Sequence, residues 1–277
     1  MEQNNHQCQS AILHGGRAMI LAAGKGTRLR PLTDSLPKAL VKVGGEPLIQ
    51  RQMQRLQFFG FTDITVNVHH LASMLCSYLE KNTPAGLKIH ISHEEAQLLN
   101  TGGALKHARP LLLRPQPGKV TTTYELPVLV HNVDILSNAP LDVFFAKACG
   151  HDAALLVSNR ESSRQLYFHP QTMRLVGWQN MLTGETRSPL PDFKPSELRW
   201  KRYAFSGIHA IGPRALKAMD DWPDTGFSII DFYLQECLHL DICGIACQSL
   251  NLLDVGKLET LARADKFQKE IEKEQGE

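Results

Sequence analysis

The chain of 277 residues is long for one average domain and short for two full ones, which fits one large α/β domain or two unequal lobes. Apolar residues at 43% and charged residues at 21% are ordinary globular usage and exclude disordered, collagenous and disulfide-scaffold classes. Lys and Arg total 30 against 28 Asp and Glu, a formal charge of +2; charge points to no nucleic-acid partner, and local groups must meet any polyanion.

In chain order, residues 1–16 lack the apolar core of a signal peptide and are expected to be a flexible leader, with the folded body starting at Arg17. Ala18 to Leu21 is a continuous apolar run stopped by Ala-Ala-Gly-Lys-Gly, a buried strand feeding a glycine loop. Pro47 to Phe59 carries Ile49, Met53 and Leu56 on one face and Gly60 behind it, a punctuated helix. The period then shortens: Ile64, Val66 and Val68 alternate with polar residues as a strand, and Leu71, Leu75 and Leu79 return to helical spacing. Leu87, Ile89 and Ile91 alternate again, Gly103 to Ala108 reads as helix, and Pro127 to Val130 as another buried strand.

Strands alternating with helices predict a Rossmann-like α/β fold, a mainly parallel sheet covered on both faces, whose ligands sit at the carboxyl ends of the strands. Beyond residue 150 the pattern loosens. Strands are expected near 153–157, 166–168, 175–178 and 203–211, helices at 213–219 and 228–238, and a long surface loop at 183–199, together a smaller substrate lobe. A closing helix is expected over 256–267, with a solvated tail at 268–277. The six cysteines (8, 76, 149, 237, 243, 247) have no paired spacing, which fits a reducing compartment with the cytoplasm as default, and Cys243-x3-Cys247 reads as buried thiol rather than zinc site. No run reaches the roughly 18 apolar residues of a membrane helix.

The most informative stretch is Leu21-Ala22-Ala23-Gly24-Lys25-Gly26-Thr27-Arg28-Leu29-Arg30-Pro31-Leu32-Thr33, followed by Pro37-Lys38. Small residues let backbone N–H groups approach phosphate oxygens, and Arg28 and Lys38 add charge. It is neither a Walker A loop nor a dinucleotide fingerprint, since the Gly-Lys-Ser/Thr ending and the third glycine are both missing.

This string closely resembles the nucleotide-binding signature of the sugar-1-phosphate nucleotidyltransferases. The resemblance implies backbone and hydroxyl contacts to a triphosphate from Leu21, Ala22, Ala23, Gly24, Gly26 and Thr27, with Arg28 on the phosphates and Lys38 on the transferred one. Ser92-His93-Glu94 and Leu99-Asn100-Thr101-Gly102-Gly103 are similar to the family's base-binding stretch, which implies nucleobase contacts from Glu94, Thr101, Gly102 and Gly103. His131-Asn132-Val133-Asp134 resembles the Asn-Gly-Asp of the family and Leu253-Asp254-Val255-Gly256 its Asp-Val-Gly, implying Mg2+ as cofactor on Asp134 and Asp254. Two departures stand out: Val133 replaces a glycine, and the Glu-Lys-Pro sugar motif of several branches is absent. Asn132, Asn159 and Gly207 are the candidate sugar contacts. The resemblance implies one nucleotidyltransferase domain over 17–265, with a nucleotide-binding lobe at 17–150 and a smaller sugar-binding lobe at 151–255.

What the resemblance implies is an enzyme that joins an NTP to a sugar 1-phosphate, giving an NDP-sugar and pyrophosphate. Its compact N-acetylmuramate-1-phosphate uridylyltransferase branch looks closest, which points to UTP. The alternatives are GTP with mannose 1-phosphate, CTP with a phosphorylated alcohol such as phosphocholine, and a non-catalytic nucleotide-binding regulator. Neither nucleic acid nor membrane is expected as partner, and oligomeric state is open.

Overall fold

A computed structural model describes residues 16–95, 97–114, 126–197 and 199–276 of the protein, so the expected leader, except Gly16, lies outside the described residues, and Cys8 with it. The first strand, β1 (Gly16–Leu21), alternates between two apolar layers: Ala18 and Ile20 pack on one side of the sheet, Met19 on the other. The glycine loop and a 3-10 turn at Thr27–Leu29 lead into α1 (Leu32–Ser35), a second 3-10 turn at Lys38–Leu40, and the small ladder of β2 (Lys42–Val43) with β3 (Glu46–Pro47). Then come α2 (Leu48–Phe58), β4 (Phe61–Val68), α3 (Ala72–Asn82), β5 (Lys88–His93), α4 (Asn100–Leu112) and β6 (Val128–Asn132), the alternation read from the sequence.

The second half runs through β7 (Ile135–Ser137), α5 (Leu141–Ala148), β8 (Ala153–Ser158), β9 (Arg164–Phe168), β10 (Leu175–Asn180), β11 (Thr186–Arg187) and β12 (Lys201–Ile211). It ends with α6 (Pro213–Ala218), α7 (Ile229–Glu236), β13 (Ile242–Ala246), β14 (Leu252–Asp254) and α8 (Leu258–Gly276). One ten-stranded sheet organises both halves, in the order β11-β10-β9-β12-β6-β1-β4-β5, with β8 branching from β12 and carrying β13. Strands β6, β1, β4 and β5 are parallel, as expected. From β12 to β11 the sheet turns antiparallel, while on the branch β13 runs parallel to β8: β12 runs against both β6 and β9, and β9 and β10 are joined by a connection too short for a parallel crossover. The sheet is therefore mixed, and the long β12 is the strand shared by both lobes.

Helices cover both faces. Leu48, Ile49, Met53 and Leu56 of α2 enter one layer, and Ala104, Leu105, Ala108 and Leu112 of α4 the other. Four elements depart from the expected plan, β11 among them: it pairs with β10 inside the surface loop expected over 183–199. The three-residue strands β7 and β14 are too short to show a period, yet they pair with Asp254 opposite Ile135. Helix α8 runs on to Gly276 rather than ending at 267: Ile271 is buried, and Glu272 pairs with Arg51 at 3.1 Å, so the Lys/Glu run is the wet face of a docked helix and not a tail. The cysteine expectation holds for Cys76, Cys237, Cys243 and Cys247, which are free thiols, but not for Cys149, which is disulfide-bonded. No helix among the described residues is long and apolar enough to cross a membrane.

His131 on β6 and His209 on β12 are almost wholly buried, and burial pulls them down to about 4 and about 3. Between roughly pH 6.5 and 4 the unfolded chain binds a proton at each histidine and the folded chain does not, so stability is full above that window and falls with acid, at a limiting slope of about 1.4 kcal/mol per pH unit per histidine. Urea unfolding at pH 7 and pH 5 will show this loss, and His209→Gln, which keeps a partner for the Tyr233 hydroxyl (2.7 Å from His209 Nδ1), will remove one proton from the slope. An unchanged slope in that variant would sink the assignment.

Candidate functional site

The glycine loop leaves the carboxyl end of β1 in the middle of the parallel strands. Ala22 and Ala23 are buried, while nothing of the protein lies within 4 Å of where a Cβ on Gly24 would sit. Gly26 has φ +62° and backs onto Thr33 and Lys38, leaving no room for a side chain (Cβ to Thr33 Cγ2, 2.9 Å). Its carbonyl accepts from the Thr33 hydroxyl (2.8 Å) and the Leu29 N–H (2.8 Å), and Leu29 is fully buried, so the turn that carries Thr27 and Arg28 is pinned from below.

Four charged side chains meet beside this loop. Lys38 Nζ donates to Asp134 Oδ2 in a short ion pair, each side chain being 13% exposed. Asp134 sits in the turn between β6 and β7, where its carbonyl accepts from Val255 N–H (2.8 Å); this bond and the β7–β14 pairing bring Asp254 alongside. Burial, then the Asp134 charge close by, push the Asp254 carboxyl above the usual range. Its Oδ1 accepts from Gly256 N–H (2.8 Å), and Arg28 Nη2 stands 4.0 Å from Oδ2. Gly256 permits that approach, since a Cβ there would lie 2.6 Å from Arg28 Nη2. Val133 has an ordinary negative φ and buries its side chain in the core, so valine is accommodated without strain at the position of the family's glycine.

The expected base-side segment is fixed to the start of α7. Gly102 and Gly103 N–H both donate to Phe227 O (2.9 and 3.3 Å), Ile229 N–H donates to Thr101 Oγ1 (3.0 Å), and Phe227 N–H donates to Leu99 O (3.1 Å). Gly102 is glycine because Phe227 lies directly on it, and Gly103 because Thr225 O would be 3.0 Å from a Cβ. Glu94 is 3% exposed with both carboxylate oxygens used inside the protein, one by Asn67 and one by Leu99 N–H. A cleft of about 420 Å3 opens between these segments and the second lobe, lined by Leu21, Thr101, Asn132, Trp178, Phe205 and His209 among others. Gly207, with φ +77°, packs on Asn132 (Cβ to Nδ2, 2.8 Å) at the register shift of β12. Asn159 is not brought to this cleft; it lines a separate open hollow of about 710 Å3 with Arg160, Gln165 and Arg202.

The model of the Nucleotidyl transferase family matches residues 17–165. The chain belongs to that family. N-acetylmuramate alpha-1-phosphate uridylyltransferase of Caulobacter vibrioides is 29% identical over 239 residues, covering 84% of this chain and 89% of that protein. Probable mannose-1-phosphate guanylyltransferase 1 of Oryza sativa subsp. japonica is 33% identical over 145 residues, 51% of this chain and 38% of that protein. Among solved structures, HddC from Yersinia pseudotuberculosis complexed with GMP-PN has a TM-score of 0.67 at 20% identity, over 91% of this chain and 98% of that one. The inositol-1-phosphate CTP transferase from T. maritima has a TM-score of 0.69 at 14% identity, over 93% and 96%; likenesses at these identities show the fold. By class the chain is a sugar-1-phosphate nucleotidyltransferase.

Sequence reasoning missed part of the nucleotidyltransferase cleft. Arg187 stacks on Trp178 (4.1 Å to the ring centroid) and pairs with Asp231 and Glu185, forming a wall from β10, β11 and α7 that no local motif announces. Arg160 donates to Phe205 O (2.7 Å) and feels the Asp254 charge; burial lowers its pKa against that pull. Its neighbour Asn159, the candidate sugar contact, lines the same open hollow as Arg160, just past the end of β8.

Gly256→Ala forces Arg28 away from Asp254 and will lower turnover more than about tenfold with little change in melting temperature, measured by pyrophosphate release and calorimetry. Gly102→Ala drives a methyl into Phe227 and will destabilise the fold by about 1–3 kcal/mol, read by urea unfolding; a neutral result would show that the 225–229 strap moves freely.

Proposed function

We propose that this chain transfers a uridylyl group from UTP to a sugar 1-phosphate, releasing pyrophosphate, in a magnesium-dependent reaction. The observation that carries the reading is the convergence of Arg28, Lys38, Asp134 and Asp254 beside a glycine loop whose Gly24 is left open to the outside. UTP is favoured because the uridylyltransferase relative aligns along 84% of this chain, whereas the guanylyltransferase relative aligns along 51%.

Two polyanions must meet, so repulsion is the obstacle and the protein's work is neutralisation and alignment. Backbone amides of the loop and Arg28 would hold the β and γ phosphates, and Lys38 would exchange its carboxylate partner for oxygens of the transferred phosphoryl group. The acceptor phosphate is already ionised and attacks without a general base, in line with the departing pyrophosphate. Magnesium takes one or two carboxylates and fills its remaining positions with water and phosphate oxygens. The donor set fits: the β7–β14 pairing and the Val255 to Asp134 backbone bond bring Asp254 beside Asp134, burial and then the Asp134 charge hold Asp254 above its usual range, and no third acidic, histidine or cysteine ligand joins them among the described residues. When bound there, the metal would neutralise phosphate charge at the reacting phosphorus.

The cleft beside Asn132 and Gly207 would take the sugar, with Trp178 as an apolar wall and Arg187 as a cation. The cytoplasm, where nucleoside triphosphates are kept, is the compartment the reaction implies.

With magnesium, the four NTPs and a panel of sugar 1-phosphates, pyrophosphate release will be fastest for a UTP pair, and Asp134→Ala will lower it by roughly 100-fold or more. Preference for GTP with mannose 1-phosphate, or for CTP with a phosphorylated alcohol, would replace the nucleotide assignment. Nucleotide binding with no pyrophosphate from any pair would leave a regulator.

A further inference from the structure

Behind the glycine loop runs a buried polar chain that none of these roles uses. Asn67, 3% exposed at the carboxyl end of β4, accepts from Ala22 N–H through Oδ1 (2.7 Å) and donates through Nδ2 to Glu94 Oε1 (2.6 Å). Glu94 Oε2 accepts from Leu99 N–H (2.8 Å), and Glu94 N–H donates to Val68 O (2.9 Å). The direction of this chain is forced. Ala22 and Leu99 offer only N–H groups here, so the two side chains between them must present an acceptor at each end and one donor–acceptor contact in the middle. An amide facing a carboxylate is one of two ways to meet that demand.

The endpoints matter. Ala22 belongs to the glycine loop, and Leu99 opens the segment of Thr101, Gly102 and Gly103, which is in turn bonded directly to Phe227 and Ile229 at the start of α7. We infer that Asn67 and Glu94 are positioning residues that set the phosphate loop and the base-side segment in one register, so that NTP affinity depends on the polarity of their hydrogen bonds and not on contact with either side chain. The inference rests on the cleft being the nucleotide site, and it gives Glu94 a different part from the nucleobase contact that the resemblance implies. His69, whose Nδ1 is 2.6 Å from Glu94 O, holds the same turn through the backbone only.

A polarity swap tests it. Asn67→Asp sets two carboxylates face to face, and Glu94→Gln sets an amide donor against either Asn67 Nδ2 or Leu99 N–H; each single change breaks the chain. With both changes the carboxylate at 67 accepts from Ala22 and from the amide at 94, whose oxygen accepts from Leu99, and all three bonds return with the net charge unchanged. Each single variant is expected to weaken magnesium–UTP binding by about tenfold or more in titration calorimetry, and the double variant to return within about threefold of the parent. KM for the NTP should follow the same pattern while KM for the sugar 1-phosphate stays within about twofold, a split that general destabilisation would not produce.

Singles that bind like the parent, a double no better than the weaker single, or equal shifts in both KM values would overturn the inference. If the parent itself binds none of the four NTPs, the nucleotide-site reading fails first and carries the inference with it. Should the single variants not fold, amide exchange in the parent decides: Ala22 and Leu99 N–H must both exchange slowly without nucleotide, and fast exchange at either one overturns the coupling.

Discussion

Asp134 and Asp254 stand side by side although far apart in the chain, and the cost of holding two carboxylates together shapes everything around them. Backbone pairing of β7 with β14 and the Val255 to Asp134 bond impose the proximity; Lys38 and Arg28, delivered by the loop after β1, offset it. Neither half of this arrangement is stable in isolation. Without the lysine, Asp134 is a largely buried charge, and without the carboxylates the cations lose the groups that hold them beside the glycine loop. The same four groups would be rebalanced when phosphates arrive, each cation trading a carboxylate for a phosphate oxygen.

The apolar layers serve this electrostatic centre by making its supports rigid. Leu29 beneath the loop, Val133 before Asp134 and Val255 after Asp254 are all buried in the same layer, so the backbone on either side of each charged residue is anchored while its side chain reaches out. On the other face, α4 begins under Phe227 through glycines that admit close contact, which ties the base-side segment to the second lobe.

Much of the first half was legible because its signals are local. A continuous apolar run before a glycine loop, or leucines at helical spacing, reports on neighbours a few residues away, and β1, α2, β4, α3 and β6 fall where those patterns place them. The turn to antiparallel pairing at β12 was less visible, since one strand's pattern does not name its partners. Arg160 and Arg187 were missed for a related reason: an arginine in a loop has the same sequence signature whether it is solvated or stacked on Trp178. The C-terminal run of lysines and glutamates reads as a solvated tail because charge dominates its composition, yet one buried Ile271 and the Arg51–Glu272 pair suffice to dock it as helix.

The glycine loop, its two cations, the two carboxylates and the α/β alternation can all be read from the chain alone, because each is written in contiguous residues. What those residues do with one another depends on contacts that folding makes across the chain. Folding puts Lys38 on Asp134 and Asp254 beside both, supplies Gly102 and Gly103 with a packing reason, moves Asn159 out of the cleft, and turns Glu94 inward to Asn67. Near-neutral composition is compatible with holding a triphosphate for the same reason: a net charge of +2 is a sum over the surface, while the field that matters is made by a few groups that folding brings within a few ångströms.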